Sequence, residues 1–325
     1  GFDGLVKVIS KYTPERVESV CGTPAHLIRR AARTMASAGK GSLLWGMGVT
    51  QQVKGVKNAT ALATLAALLG WYGKEGTCVG GVRGQNNVQG ACDMGALANF
   101  YPGYVEVEDK EGRRRIAELW GVSELPEEPG LTVVEMGHAA ETGKLKVLYV
   151  MGENLVVSNA NSRRVERGLS KLEFLVVQDI FLTETARLAD IVLPAAAMIE
   201  KEGSVTNTER RVQWTRKAVE PPGSSKADLE ILVGVAKMLG LERFFQYGGP
   251  EDVLAEVNRV VPAYAGITPE RLKSRLAGSC GHVRPPSILV QGSCTLLSSE
   301  RPQGGLSSHQ WSTRTRRKDP MQRIR

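Results

Sequence analysis

The sequence has no run of about 18 consecutive apolar residues, so no membrane-spanning helix is expected from it. Its five cysteines (Cys21, Cys78, Cys92, Cys280 and Cys294) are scattered, and no two form a Cys-x-x-Cys pair. That spacing argues against a disulfide scaffold and against a zinc or iron–sulfur site within the chain, and it makes a reducing cytoplasm the simplest location. Four histidines, His26, His138, His282 and His309, fall at no metal-ligand spacing and read as structural or exposed. There is no Ser-His-Asp order, no HExxH string and no P-loop. The start, Gly1-Phe-Asp-Gly, has neither an initiator Met nor a signal pattern, and reads as an internal cut.

Net positive charge is small outside the end of the chain. From residue 277 onward eight Lys/Arg face two acids, a net of +6, which leaves only +2 of the total +8 for the first 276 residues. A body this close to neutral shows no basic face for nucleic acid, and no nucleic-acid partner is expected. With 325 residues, 42% of them hydrophobic, the chain can build about two cored domains.

What is present is an alternation of strands and helices. Thr13-Pro14-Glu15 and Thr23-Pro24 each place a cap residue before a proline suited to the first helical position, the second opening a helix over 25–38. Ser42–Trp45 reads as a buried strand, Gly46–Gln51 as a loop and Val56–Leu69 as a buried helix ending at Gly70. The unit recurs: strands at Lys146–Met151, Leu172–Val177 and Ile191–Leu193, with helices at Asn161–Leu169 and Thr183–Ala189. Apolar, β-branched strands separated by helices predict a parallel α/β sheet. Short strands at Val205–Thr206 and Arg211–Thr215 and helices at Gly112–Trp120, Ala227–Leu239, Pro250–Val260 and Pro269–Leu276 complete the folded part. Beyond Gly278, Ser-, Gly-, Pro- and Arg-rich stretches show neither helical nor strand period. This tail reads as a frame change, a disordered basic tail or an interaction arm.

The most informative stretch is Arg83-Gly-Gln-Asn-Asn-Val-Gln-Gly-Ala-Cys-Asp-Met-Gly95. It is too polar for a core strand and too glycine-rich for a helix. Amides offer donors and acceptors without charge, glycine lets backbone approach a ligand, and one arginine can grip a small carboxylate by two parallel hydrogen bonds. This string resembles the signature of the catalytic subunit of molybdenum- or tungsten-dependent formate dehydrogenases, in the molybdopterin oxidoreductase family. The resemblance covers roughly residues 1–275 and is strongest at Gly46–Gln51, Gly73–Gly103, Val150–Asn154, Val177–Pro194 and Glu200–Gln213.

The resemblance implies an α/β fold with parallel-sheet, helix-flanked nucleotide-binding layers of the molybdopterin oxidoreductase type. It divides the chain into the C-terminal part of a first cofactor-binding domain (1–85), a second such domain (86–197), a smaller α+β region (198–276) and an irregular basic tail (277–325). It implies oxidation of formate to carbon dioxide by hydride transfer at a bis-(molybdopterin guanine dinucleotide) centre with molybdenum or tungsten. It further implies a 4Fe-4S cluster in a missing N-terminal part, iron–sulfur or flavin electron-transfer subunits as partners, and a fragment inactive on its own.

Arg83 is the candidate for orienting formate, since a guanidinium provides a planar fork and fixed charge that lysine lacks. By the same resemblance, Met47, Gln51, Gln85, Asn86 and Gln89 are candidates for holding the pterin. Cys92 reads as a small buried residue rather than a ligand, and no metal ligand is expected within the chain. Asn154, Ser158, Gln178 and Asp179 fall where strands end, on the rim that binds nucleotides in α/β sheets; Asp179 reads otherwise as a cap. Lys201 reads equally as a cofactor contact or a surface partner of Glu200 or Glu202, and Asp228 equally as a nucleotide contact or a helix cap. Two other readings stay open: another molybdopterin oxidoreductase, such as a nitrate reductase, or a non-catalytic remnant or scaffold.

Overall fold

A computed structural model describes residues 1–274 and the backbone of Gly281 and His282. The rest of the expected basic tail, and the last residues of the expected Pro269–Leu276 helix, lie outside the described residues. The chain forms two compact units, one holding Gly1–Ser42 and Ala66–Cys78, the other Leu43–Leu65 and the described residues from Val79 on.

The first unit carries helices Phe2–Ile9, Pro14–Cys21 and Ala25–Ser37. Thr13 caps the second as expected, its hydroxyl accepting the Arg16 N–H at 3.3 Å, and Gly22 closes it at φ +73°. The third helix departs slightly from expectation: Pro24 occupies the cap position itself, where it has no side-chain acceptor, and the Glu18 carboxylate takes the Ala25 N–H at 3.0 Å instead. Trp71 is buried against Gly41, where a Cβ would stand 2.4 Å from the indole ring.

β1 (Ser42–Trp45) pairs with β2 (Cys78–Gly81), all but the first residue of each lying in the second unit. The Val82 N–H donates to the Trp45 carbonyl at 2.7 Å, so the segments leaving the two strands start side by side. The strand expected to be buried over Ser42–Trp45 is sunk only at Trp45, and Leu44 is 54% exposed. Gly55–Leu68 is helical as expected but is not a buried helix, since Val56 is 80% exposed. Of the free thiols, Cys21 is exposed and Cys92 half-buried; Cys78 is disulfide-bonded.

Short strands β3 (Phe100–Tyr101) and β4 (Val105–Glu106) form an antiparallel hairpin. The central sheet is β5 (Val147–Met151), β6 (Phe174–Asp179) and β7 (Ile191–Pro194), all parallel, with Val150 opposite Val177 and Val177 opposite Val192. Val150, Leu175 and Val177 pack with Val156, Leu169 and Ala186 into one apolar cluster, each fully buried aliphatic side chain stabilising by roughly 1.5–3 kcal/mol. β6 begins two residues later than the sequence suggests because Leu172 is still closing the preceding helix, its N–H bonded to the Leu169 carbonyl. Expected helix Thr183–Ala189 is only a single tight turn, Ala186–Leu188. A helix absent from the sequence reading, Val133–Glu141, is set by a reciprocal capping box between Thr132 and Glu135.

β8 (Gly203–Thr206) and β9 (Arg211–Thr215) form an antiparallel hairpin as expected, and the described pair Gly281–His282 adds to β9. Val212, Ile116, Leu254, Val261 and Tyr264 form a second core that joins this hairpin to helices Lys110–Trp120 and Pro250–Val260. The architecture is therefore mixed α/β with a parallel sheet and flanking helices.

Candidate functional site

All the candidate residues lie in the second unit. The run after Arg83 is not the loop its composition suggests. Val88–Asp93 is helical, opened by Asn87 at φ +58°. A tertiary contact stabilises this turn: the Asn87 side-chain oxygen accepts the Thr206 N–H at 2.9 Å. Gly90 is required there because a Cβ would stand 2.1 Å from that same oxygen. Its bareness serves a side-chain approach inside the protein, in addition to any role toward a ligand.

Arg83 is exposed on the segment leaving β2. Its N–H donates to the Thr208 hydroxyl at 3.2 Å, and its Nη2 donates to Cys92 Sγ at 3.0 Å. No carboxylate pairs with it among the described residues. Gln85 and Asn86 are exposed beside it, Asn86 donating to Met198 Sδ at 3.2 Å. Met47 begins a single helical turn, Met47–Thr50, after β1, where a loop was expected. Its methyl group lies 3.8 Å from where a Cβ on Gly84 would be, so Met47 borders the Arg83 segment. Gln51 ends that turn, exposed, its N–H bonded to the Met47 carbonyl.

Gln89 is different from the other amides. It is buried and donates to Asp93 at 2.8 Å and to the Tyr104 hydroxyl at 3.2 Å. Asp93 is 1% exposed and also accepts from Tyr264 at 2.8 Å and Arg210 at 3.4 Å. Burial first, then the Asp93 charge, raises the hydroxyl pKa of both Tyr104 and Tyr264 above the ordinary range, so both stay protonated. Gln89 thus anchors the segment from inside rather than facing out with Arg83.

A second cluster lies at the carboxyl end of the parallel sheet. Gln178 is fully buried at the end of β6 and accepts from the Tyr149 hydroxyl at 2.5 Å while donating to Asp228 at 2.6 Å. These two partners decide which way its amide faces. Lys201 donates to the other Asp228 oxygen. Its partner is therefore neither Glu200 nor Glu202, whose carboxylates take the Ala197 N–H and the Trp214 indole. Asp228 opens its helix without capping it, since its carboxylate is taken by Gln178 and Lys201. Burial first, then the Asp228 charge, raises the Tyr149 pKa.

Asn154 follows β5 and joins it to the segment between β6 and β7. Its side-chain oxygen accepts from the Thr185 hydroxyl at 2.9 Å, and its amide donates to Glu184 at 2.7 Å. That donated bond, first among the causes, lowers the Glu184 pKa. Ser158 is exposed and donates to Glu153. Asp179 accepts the Ile180 N–H at 2.7 Å, a local turn contact, on the same rim.

The structure thus brings Arg83, Gln85, Asn86 and Met47 around one segment, and Gln178, Lys201 and Asp228 into one chain of hydrogen bonds. Among the described residues, the side chains of Ser158 and Asp179 bond only locally, and Gln51 bonds within its own turn. Sequence reading missed Tyr149, Thr208 and Tyr264 as members of these clusters. Thr208 stands in the family-like stretch Glu200–Gln213 but was not singled out there, and each of the three meets its partner from far along the chain.

The model of the family described as "Molybdopterin oxidoreductase" matches residues 12–238. The chain is 51% identical over 274 residues to the F420-dependent formate dehydrogenase subunit alpha of Methanocaldococcus jannaschii, covering 84% of this chain and 40% of that protein. It is 40% identical over 286 residues to formate dehydrogenase H of Escherichia coli, covering 88% of this chain and 39% of that one. The chain therefore spans about two-fifths of the length of these relatives. In fold it is similar to acetylene hydratase from Pelobacter acetylenicus, with a TM-score of 0.62 at 21% identity over 85% of this chain and 40% of that one. With the parallel sheet and its polar rim, these likenesses lead to one conclusion: the chain belongs to the molybdopterin oxidoreductase family.

Proposed function

We propose that the chain is part of the catalytic subunit of a formate dehydrogenase, oxidising formate to carbon dioxide. The observation that carries this is the Arg83 guanidinium, exposed among neutral amides, with one edge on Cys92 and no carboxylate competing for its charge among the described residues. A fork left open in this way suits a one-carbon carboxylate, which can accept two parallel N–H bonds and be held with its C–H in a single direction.

The family implies a molybdopterin cofactor with molybdenum or tungsten. The donor set fits its bis-(guanine dinucleotide) form: Asp228, held from inside by the buried Gln178, would present a carboxylate to the N–H edge of guanine, Lys201 a cation to phosphate, and Asn154, Ser158 and Asp179 acceptors on the same rim. Met47, Gln51, Gln85 and Asn86 would border the pterin, and Gln89 would brace them from within. When bound, that group supplies the two-electron acceptor for the hydride of formate. This chain's residues would bind and orient the substrate.

The division into parts of two nucleotide domains (1–85 and 86–197) and a smaller region (198–276) belongs to the same proposal. So do a cytoplasmic location, a 4Fe-4S cluster elsewhere in the complete subunit, and iron–sulfur or flavin partner subunits. Residues 1–325 alone are expected to be inactive and to hold no metal. Formate-dependent dye reduction by that polypeptide at the rate of a complete subunit contradicts this.

The test of the substrate reading is Arg83→Lys in the complete subunit, which keeps charge and removes the fork. The formate KM is expected to rise about tenfold or more, each tenfold being about 1.4 kcal/mol, with bound metal unchanged. An unaltered KM overturns the assignment.

A further inference from the structure

We propose that Cys92 is a positioning residue for substrate, holding the Arg83 guanidinium through a weak sulfur acceptor. The proposal rests on the reading of Arg83 as the formate grip.

The geometry has three parts. Arg83 is held at both ends, its backbone N–H by the Thr208 hydroxyl at 3.2 Å and its Nη2 by Cys92 Sγ at 3.0 Å. Nε and Nη1 have no hydrogen-bond partner among the described residues, so the rest of the fork is free for a ligand. The thiol itself sits on a fixed element, because its chain neighbour Asp93 is 1% exposed and accepts from Gln89, Tyr264 and Arg210. A free arginine arm carries a large rotamer entropy. Anchoring one edge to a rigid helix lowers the cost of orienting the other edge toward substrate.

The choice of sulfur follows from charge. Cysteine sulfur is a weak acceptor, so it orients the guanidinium without consuming the positive charge that must attract formate. A carboxylate at this position would form a charge-assisted pair and compete with the substrate for the same N–H groups. Cysteine thus serves here by how weakly it binds, a role distinct from metal ligation or nucleophilic attack.

The experiment uses the complete, metal-loaded enzyme with Cys92→Ala, Cys92→Ser and Cys92→Asp, and Arg83→Lys alongside. Steady-state kinetics separate KM for formate from kcat, and calorimetry measures the dissociation constant for azide, a small competing anion. Cys92→Ala is expected to raise the formate KM about fivefold to tenfold, with a smaller change in kcat, and to weaken azide in parallel. Cys92→Ser restores most of the loss, since a hydroxyl also accepts, and Cys92→Asp raises KM beyond the alanine variant. Metal content stays at the wild-type level in all of them. A formate KM within twofold of wild type for Cys92→Ala overturns the proposal. Where Cys92→Ala does not accumulate, the two polar variants decide, and equal KM values for Cys92→Ser and Cys92→Asp overturn it. A formate KM unchanged in Arg83→Lys would instead sink the substrate reading itself, whatever the Cys92 variants do.

Discussion

Tyr264 and Asp93 stand 171 residues apart in the chain, and the tyrosine hydroxyl donates to the carboxylate at 2.8 Å. This bond ties the end of the Val88–Asp93 helix to the core that contains Ile116 and Val212. Tyr264→Phe keeps the ring and removes the donor, leaving Asp93 to Gln89 and Arg210. A buried carboxylate that loses a donor costs roughly 1–3 kcal/mol, so the urea midpoint should fall accordingly. A midpoint equal to wild type means Tyr264 contributes only its ring.

Gly90 packs where a Cβ would stand 2.1 Å from the Asn87 side-chain oxygen and 3.2 Å from the Thr206 hydroxyl. Gly90→Ala forces Asn87 off the Thr206 N–H and loosens the opening of the Val88–Asp93 helix. The expected loss is about 1–3 kcal/mol, typical of overpacking, and the cost should shrink sharply in an Asn87→Ala background, where the obstructing oxygen is gone. Equal costs in both backgrounds would contradict the close approach.

Glu251 and Lys273 join the Pro250–Val260 helix to the Pro269–Lys273 turn. The hydrogen bond with Lys273 is the first cause lowering Glu251 below its ordinary 4.5, and the bond with Glu251 is the first cause raising Lys273 above 10.5. The Glu251 contribution is complete above 4.5 and is lost as pH falls through its lowered value; the Lys273 contribution is complete below 10.5 and is lost as pH rises through its raised value. Comparing unfolding midpoints of wild type and Glu251→Gln across pH should therefore show a gap on the plateau between 4.5 and 10.5 that closes toward both extremes. The groups are partly exposed, so the gap is small and shrinks in salt. A gap independent of pH rules the pair out as its source.

Lys201 and Asp228 are 29% and 32% exposed at the side chain, and such a pair contributes about 0–1 kcal/mol to stability. Asp228→Asn should accordingly leave the unfolding midpoint nearly unchanged. In the complete subunit the same variant should lower the amount of guanine released on acid treatment, because the carboxylate that would meet the base is gone. Full guanine content would remove Asp228 from the nucleotide site.

How much of this was legible in the sequence depends on the range of the interaction responsible. Thr13-Pro14 announced its helix because a cap acts within one turn, and the strand Val147–Met151 was visible because β-branched apolar runs mark buried parallel strands. The Arg83–Gly95 string marked the site for the same reason, since its unusual chemistry is concentrated in thirteen neighbouring positions. Its local conformation was misread. Amides and glycines weigh against a helix, yet the bond from the Thr206 N–H to the Asn87 side chain outweighs that preference. Likewise Lys201 lies near Glu200 and Glu202 in sequence but pairs with Asp228, because the chain returns past the sheet before residue 228.

The parallel sheet and the concentration of polar groups after Arg83 were determined by the sequence itself, through propensities and patterns that act over a few residues. Which amides face inward, which acceptor Lys201 meets and what holds the Arg83 guanidinium were decided only by the tertiary structure. Each of those depends on a partner set by packing between distant segments, and a hydrogen bond forms where donor and acceptor meet in space, however far apart they stand along the chain.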